Sequence, residues 1–467
     1  MTATQGRISK QMHDSQVTIA AIRFGYGLPA DHGKFGSPQS ILQMAHTVAR
    51  TRASYPVGGI DKRKRELNSY VGQFTARRQH QLQDESNREA LRQLRVTASR
   101  TMEQDRVMML RDAVMSSDGF GQRLVRFWSD HFSIASSKAP ELRLMVPLFE
   151  AERIRPNIAG SFAMLLRAAI LDPAMLIYLD QTTSMDPDSR AGQKQDRGIN
   201  ENLGRELLEL HTLGAGSGYT QDDVRQAAYL LAGLTVERPK MRAVFDPSRS
   251  AAGPFTIMGR RYAADGHNLS DIDRFLTDLS VAPQTAETIS RKLAVHFISD
   301  QPDEQLVSAM TQTWVESGGA LDQVYWVMLC HPSAWSPEFG KAKQPCDYLI
   351  SSLRALTVSR RTLAGSDIDQ LFNEALPSMG QDIWDPPSPR GFDEDRESWI
   401  TAHQLAARLQ LAQQLTRHIN SQIEPAQLAD NALGPLTSAT LENVIARAPS
   451  REAARLAILA SPQFNQR

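Results

Sequence analysis

Glu85-Ser-Asn-Arg-Glu-Ala-Leu-Arg-Gln-Leu-Arg-Val-Thr-Ala-Ser-Arg-Thr-Met-Glu-Gln-Asp-Arg-Val-Met-Met-Leu-Arg-Asp-Ala-Val-Met-Ser-Ser117 runs without a proline or a glycine and interleaves charged with apolar residues. Such a stretch reads as one long amphipathic helix or two stacked ones. The same pattern recurs on both sides of it. Residues 37–50 predict a helix with Ser37 at the N-cap and Pro38 in the first turn, stopping near Arg50. Downstream, helices are expected at 120–135, 142–154 and 158–171, the last halted by Asp172-Pro173. Residues 181–198 are rich in Asp, Ser, Gly and Gln and read as a polar loop. A helix over 201–213 follows and stops at Gly214. Thr220 and Asp223 then form an N-cap pair, opening a helix with Val224, Ala227, Ala228 and Leu231 on one face.

Residues 236–268 are the least helical part, and a short β-hairpin is expected within 250–262. Helices resume over 270–279, 283–298, 303–316, 320–330, 342–357 and 399–421. Residues 377–392 read as a proline-rich loop, and two helices close the chain. The fold class is therefore all-α, a large multi-helix globular bundle. Residues 1–17 are expected to be a flexible lead and residues 18–467 one helical domain.

Lys+Arg and Asp+Glu both number 52, which argues against a nucleic-acid partner. Basic residues outnumber acidic ones over 50–106, densest at Lys62-Arg63-Lys64-Arg65, but the stretch is almost without aromatic residues and reads as a solvated helical face. Cys330 and Cys346 lack the spacing of a metal knuckle and are expected as free thiols inside packed helices. No transmembrane segment and no leader of signal-peptide character is visible, so the expected location is the cytoplasm.

Two histidines carry the chemistry. Around Leu124-Val-Arg-Phe-Trp-Ser-Asp-His131, a helical wheel gathers Arg126, Ser129, Asp130 and Ser133 on one side. His131 falls among Leu124, Val125, Phe127, Trp128, Phe132 and Ile134 on the other. A desolvated imidazole there is a core residue bonded to a carbonyl, or a metal or haem ligand, or a general base. In Asn202-Leu-Gly-Arg-Glu-Leu-Leu-Glu-Leu-His211, the side chains of Asn202, Arg205, Glu206 and Glu209 share one face. His211 projects nearly opposite, beside Leu207, Leu208 and Gly204, whose missing side chain leaves space by the ring. The Glu-x-x-His spacing of carboxylate-bridged metal bundles is absent. Asn202, Glu206 and Glu209 either face solvent or line a polar cavity. Glu201 and Arg205 have the favourable i, i+4 order. His296 reads as a capping residue near a helix end.

Taken in order, these segments resemble the bacterial family known as domain of unknown function 1800. Ala21-Ile-Arg-Phe-Gly-Tyr-Gly27 is similar to its N-terminal signature, and Phe127-Trp-Ser-Asp-His-Phe132 to its aromatic–histidine helix. Leu171-Asp-Pro-Ala-Met-Leu-Ile-Tyr-Leu-Asp180 and Asn200-Glu-Asn-Leu-Gly-Arg-Glu-Leu-Leu-Glu-Leu-His-Thr-Leu-Gly214 match its most distinctive stretch. Gly380-Gln381, Trp384, Pro386-Pro387, Gly391 and Trp399 follow in order. The resemblance runs from about residue 18 to the end. It implies no established activity. It does imply a periplasmic alternative to the cytoplasm and a sulfatase-like partner encoded next door. One departure stands out: the family's His-Asp pair and lysine are missing from residues 246–259.

Three functional classes follow. The first is a metal- or haem-assisted, oxidative enzyme using His131 and His211 as ligands, with Asn202, Glu206 and Glu209 beside them and Trp128 and Arg205 holding the cofactor. The second is a non-catalytic scaffold or accessory subunit for the sulfatase-like neighbour. The third is a metal-independent hydrolase or lyase with Glu206 or Glu209 as base. Cofactor identity and oligomeric state are open at this stage.

Overall fold

The structure is a computed structural model and describes residues 3–29, 31–79, 85–238, 240–420 and 422–467. The stretch quoted above is one uninterrupted helix, Glu85–Met115. Its C-terminal half buries Met102, Val107, Met109, Leu110, Ala113 and Val114, while much of its N-terminal half stays exposed. It packs against Leu142–Phe149, Pro345–Ala355 and Ser366–Ser378, and so ties the first third of the chain to the last.

The other expected helices form with the caps that the residues dictate. Ser37 caps Pro38–Arg50 by accepting from the Ser40 amide, and Thr220 and Asp223 close a full capping box on Gln221–Leu231. Asp172 does more than end Phe162–Ile170, because it caps a further short helix, Pro173–Tyr178, which the sequence reading did not separate. Within 181–198 a short helix, Arg190–Gln195, breaks the polar loop. The first helix, Ala3–Phe24, takes in most of the residues expected as a flexible lead. Three helices rather than two close the chain: Pro425–Leu433, Ala439–Ala446 and Arg451–Ala460.

The expected hairpin is present as antiparallel Phe255–Ile257 and Arg260–Tyr262, with Phe255 opposite Tyr262. Its two turn residues, Met258 and Gly259, both have positive φ (47° and 76°), the geometry that matches the twist of a tight hairpin. A second hairpin, Leu234–Glu237 with Arg242–Phe245, was not anticipated, since its four-residue strands are largely half-buried and carry no clean alternation. Among the described residues the rest is helix, turn and loop around a shared apolar core. No helix among them is long and apolar enough to cross a membrane.

Two expectations about charged and thiol groups need correction. Arg63, within the basic stretch, is buried and forms a two-pronged ion pair with the fully buried Asp105 on the long helix. Cys330 is exposed, whereas Cys346 is buried as expected.

Burial pushes the Asp105 carboxyl above its usual range even against the pull of Arg63. Truncating it would therefore leave the buried guanidinium with only the half-exposed Glu66, 3.0 Å away, as counter-charge. Asp105→Ala should destabilise the protein by roughly 3–5 kcal/mol, read as a lower midpoint in guanidinium unfolding.

Candidate functional site

His131 is the last residue of helix Gly119–His131, and His211 lies two residues beyond the end of helix Asn202–Glu209. Each ring therefore sits where backbone carbonyls run out of intrahelical donors. The two residues solve this for each other. His131 Nε2 donates to the His211 carbonyl at 3.2 Å, and His211 Nδ1 donates to the His131 carbonyl at 3.1 Å. The exchange fixes opposite tautomers, Nε2–H on His131 and Nδ1–H on His211. The ring centroids are 5.8 Å apart, with Phe132 packed 4.5 Å from one and 5.2 Å from the other. Burial, reinforced by the charge of Lys292, holds His131 well below the usual histidine range and His211 down at about 3. Both rings are neutral at pH 7.

His131 also forms part of the wall of a cavity of about 480 Å³. Across from it stands Lys292, from helix Pro283–Phe297. Its ammonium donates to the Leu210 carbonyl at 3.1 Å and lies 3.4 Å from His131 Nδ1, the ring nitrogen left with a lone pair. Lys292 forms no ion pair among the described residues. Burial lowers its pKa to about 8, although the charge of Asp130 works the other way. Asp130 is on the same wall. Its carboxyl is pushed up to about 7 by burial and then by the nearby Glu394 charge, and it accepts from the Phe392 amide at 3.1 Å. The loop wraps tightly here. Gly391 has φ +86°, and a Cβ there would come within 2.7 Å of the Asp130 carboxylate.

Behind this wall lies a shell of buried charge. His296 Nδ1 donates to Glu394 at 2.5 Å. Burial would raise the Glu394 carboxyl, but His296, Lys341 and Arg467 hold it down at about 2. Burial keeps His296 neutral, at about 4. Glu150, fully buried, receives Tyr55, Trp384, Ser129 and Arg126, which sets the rotation of the helix that carries Asp130 and His131. Phe127 and Phe392 supply apolar lining, while Arg390 stands exposed on the rim with no ion-pair partner among the described residues.

The family model described as "Protein of unknown function (DUF1800)" matches residues 19–466. The chain belongs to the DUF1800 family. No curated protein and no solved structure matches it.

In this DUF1800 chain the residues singled out from sequence go to three places. His131 and Glu209 line the cavity. His211 and Trp128 lie behind it, the latter donating from Nε1 to Tyr325 at 2.7 Å. Asn202, Arg205 and Glu206 stay half-buried outside the cavity wall. Arg205 is held by Glu201 and Glu209 at 2.9 and 3.4 Å, and Asn202 donates to the Leu179 carbonyl at 3.3 Å. Glu206 is raised by burial and by the like charge of Glu209. Gly204 leaves room not for an imidazole but for the neighbouring helix, since a Cβ there would lie 3.1 Å from the Ala228 amide. His296 is not a cap but a buried partner of Glu394. Residues 246–259, where the family pattern is broken, line no part of the cavity.

Sequence reasoning missed Lys292, Arg390 and Glu394, and it set Asp130 on the side opposite His131, although both line the cavity. One signal for the first was present: Thr288, Lys292 and Val295 recur at helical spacing and share the face that meets the cavity.

A neutral buried histidine makes the DUF1800 fold acid-sensitive. His211 has a folded pKa of about 3, against about 6.5 when unfolded. The unfolded chain thus binds one more proton between those values, and stability falls as pH drops through that window. His211→Asn keeps a donor near the Nδ1 position and removes the titration. The pH dependence of its unfolding free energy should be shallower than wild type by about 1 kcal/mol per pH unit below about pH 6, measured by urea unfolding at several pH values.

Proposed function

We propose that this chain is an enzyme whose active site is the cavity beside His131, acting by acid–base chemistry on a small anionic organic molecule. The observation that carries the reading is the Lys292 amine, set into the cavity wall without a carboxylate partner. A lysine brought down to about 8 and an aspartate brought up to about 7 share one pocket, so either can give or take a proton near neutrality. Perturbed groups of this kind, gathered in a cleft, are the usual mark of a working site. Arg390 offers a planar, unpaired guanidinium for a carboxylate or phosphate. Phe127 and Phe392 give the cavity an apolar side.

The metal- or haem-assisted reading has less support in this geometry. One nitrogen of each ring is engaged by the other histidine's carbonyl, and the free nitrogen of His131 faces an ammonium, which repels a cation. Among the described residues no group of three or more His, Cys, Asp or Glu side chains is placed to hold a metal ion. The metal-independent class is favoured instead, with the acting groups moved from Glu206 and Glu209 to Asp130 and Lys292.

A thermal-shift screen of inorganic phosphate, citrate and a set of small hydroxy and keto acids tests the reading. At least one anion should raise Tm for wild type and lose that effect in both Arg390→Gln and Lys292→Met. If no anion shifts Tm in a way that depends on these two residues, the cavity is not such a site.

A further inference from the structure

The arrangement around Lys292 sets where its lone pair goes. An amine nitrogen carries two N–H bonds, a bond to Cε and one lone pair. Two acceptors flank this one, the Leu210 carbonyl at 3.1 Å and His131 Nδ1 at 3.4 Å. His131 Nδ1 is an acceptor only because Nε2–H is committed to the His211 carbonyl. With both N–H bonds directed to these acceptors, the lone pair is left facing the cavity. A general base needs that orientation as much as a nucleophile does, so the same lone pair that can take a proton is also placed to add to carbon.

We infer that Lys292 condenses with the carbonyl carbon of an aldehyde or keto acid, forming an imine while Arg390 holds the substrate's carboxylate. The inference rests on reading the cavity as the active site and names its substrate class. The amine lone pair forms the N–C bond as the carbonyl π pair moves to oxygen. A proton passes from nitrogen to that oxygen, giving a neutral carbinolamine. Asp130, as the carboxylic acid, then protonates the hydroxyl, which leaves as water while the nitrogen lone pair forms C=N. The products are an iminium ion, one water and the Asp130 carboxylate, and neither oxidant nor reductant is needed. The iminium then lies on the same wall as the carboxylate that it created.

The charges around the amine bear on its protonation. Asp130 and His131 face it from helix Gly119–His131, and Arg390 and Glu394 from the loop that wraps Asp130. Arg291 and Glu287 line the cavity from its own helix, Glu209 from the end of helix Asn202–Glu209, and Asp393 from the loop beside Glu394. Burial outweighs the acidic members, so roughly a tenth of Lys292 is free amine at pH 7, against well under a hundredth of an ordinary lysine.

Glyoxylate, the smallest aldehyde carrying a carboxylate, is the probe. Folded wild-type protein is incubated with it and cyanoborohydride, digested and mapped by mass spectrometry for N-carboxymethyl-lysine. Lys292 should be modified roughly tenfold or more faster than any other lysine at neutral pH. Its rate should pass through a maximum between about pH 7 and about pH 8, because it needs Asp130 as the acid and Lys292 as the free amine, whereas surface lysines keep accelerating toward about pH 10.4. Arg390→Gln should slow Lys292 severalfold and leave the other lysines unchanged. Modification spread over surface lysines with Lys292 no faster than they are would overturn the inference. If that happens while anions still raise Tm through Arg390 and Lys292, only condensation is wrong; if neither effect appears, the site reading fails with it.

Discussion

Two histidines exchange ring N–H groups for each other's backbone carbonyls, and the chemistry of the cavity depends on that exchange. It joins two helix ends that lie 80 residues apart in the chain. It also assigns a tautomer to each ring without the help of a carboxylate. Once Nε2–H of His131 is committed, Nδ1 can only accept, and the nearest donor is the Lys292 ammonium. A protonated ring at either position would break the pattern, because a second N–H would lose its acceptor or confront a cation. The low affinity of both rings for protons and the fixed geometry of the amine are thus one constraint.

The surrounding charge serves this constraint. Burying ions is expensive unless each is paired and hydrogen-bonded. Glu150 and Glu394 are two of the centres around the cavity where that pairing occurs. Glu150 gathers donors from Arg126 and Ser129 on the histidine helix, Tyr55, and Trp384 in the wrapping loop. Glu394 is held by His296, Lys341 and Arg467. Glu150 anchors Trp384 against the helix that ends in His131, and Glu394 ties the far end of the same loop to His296 on the helix that carries Lys292. Lys343, Arg23 and Arg408 are also buried without an ion pair among the described residues, over the Phe464 ring or on backbone carbonyls. Lys292, by contrast, lines the cavity and is compensated only at a distance by Asp130 and Glu394. A cation open to a cavity beside a carboxyl raised by burial is where function is to be sought.

Much of the fold was legible in the sequence because its signals are local. The proline- and glycine-free run at Glu85–Met115, the Ser37 cap, the Thr220–Asp223 box and the hairpin at 255–262 each need only a few neighbouring residues. Helical periodicity also turned His131 and His211 inward, and both are buried. The partners of those rings were not legible. Lys292 lies 161 residues from His131, and on an amphipathic helix a lysine looks like any solvated charge. Glu394 is 98 residues from His296, so that histidine looked like a cap. The first hairpin, Leu234–Glu237 with Arg242–Phe245, escaped for a different reason: its strands are too short and too evenly half-buried to show a period of two.

The reciprocal exchange can be observed directly by ¹⁵N NMR of histidine-labelled protein, with His131 and His211 assigned by single replacements. The account predicts His131 as the Nε2–H tautomer and His211 as the Nδ1–H tautomer, both still neutral at about pH 5. The same tautomer at both positions, or either ring titrating near the ordinary histidine value of about 6.5, would contradict it.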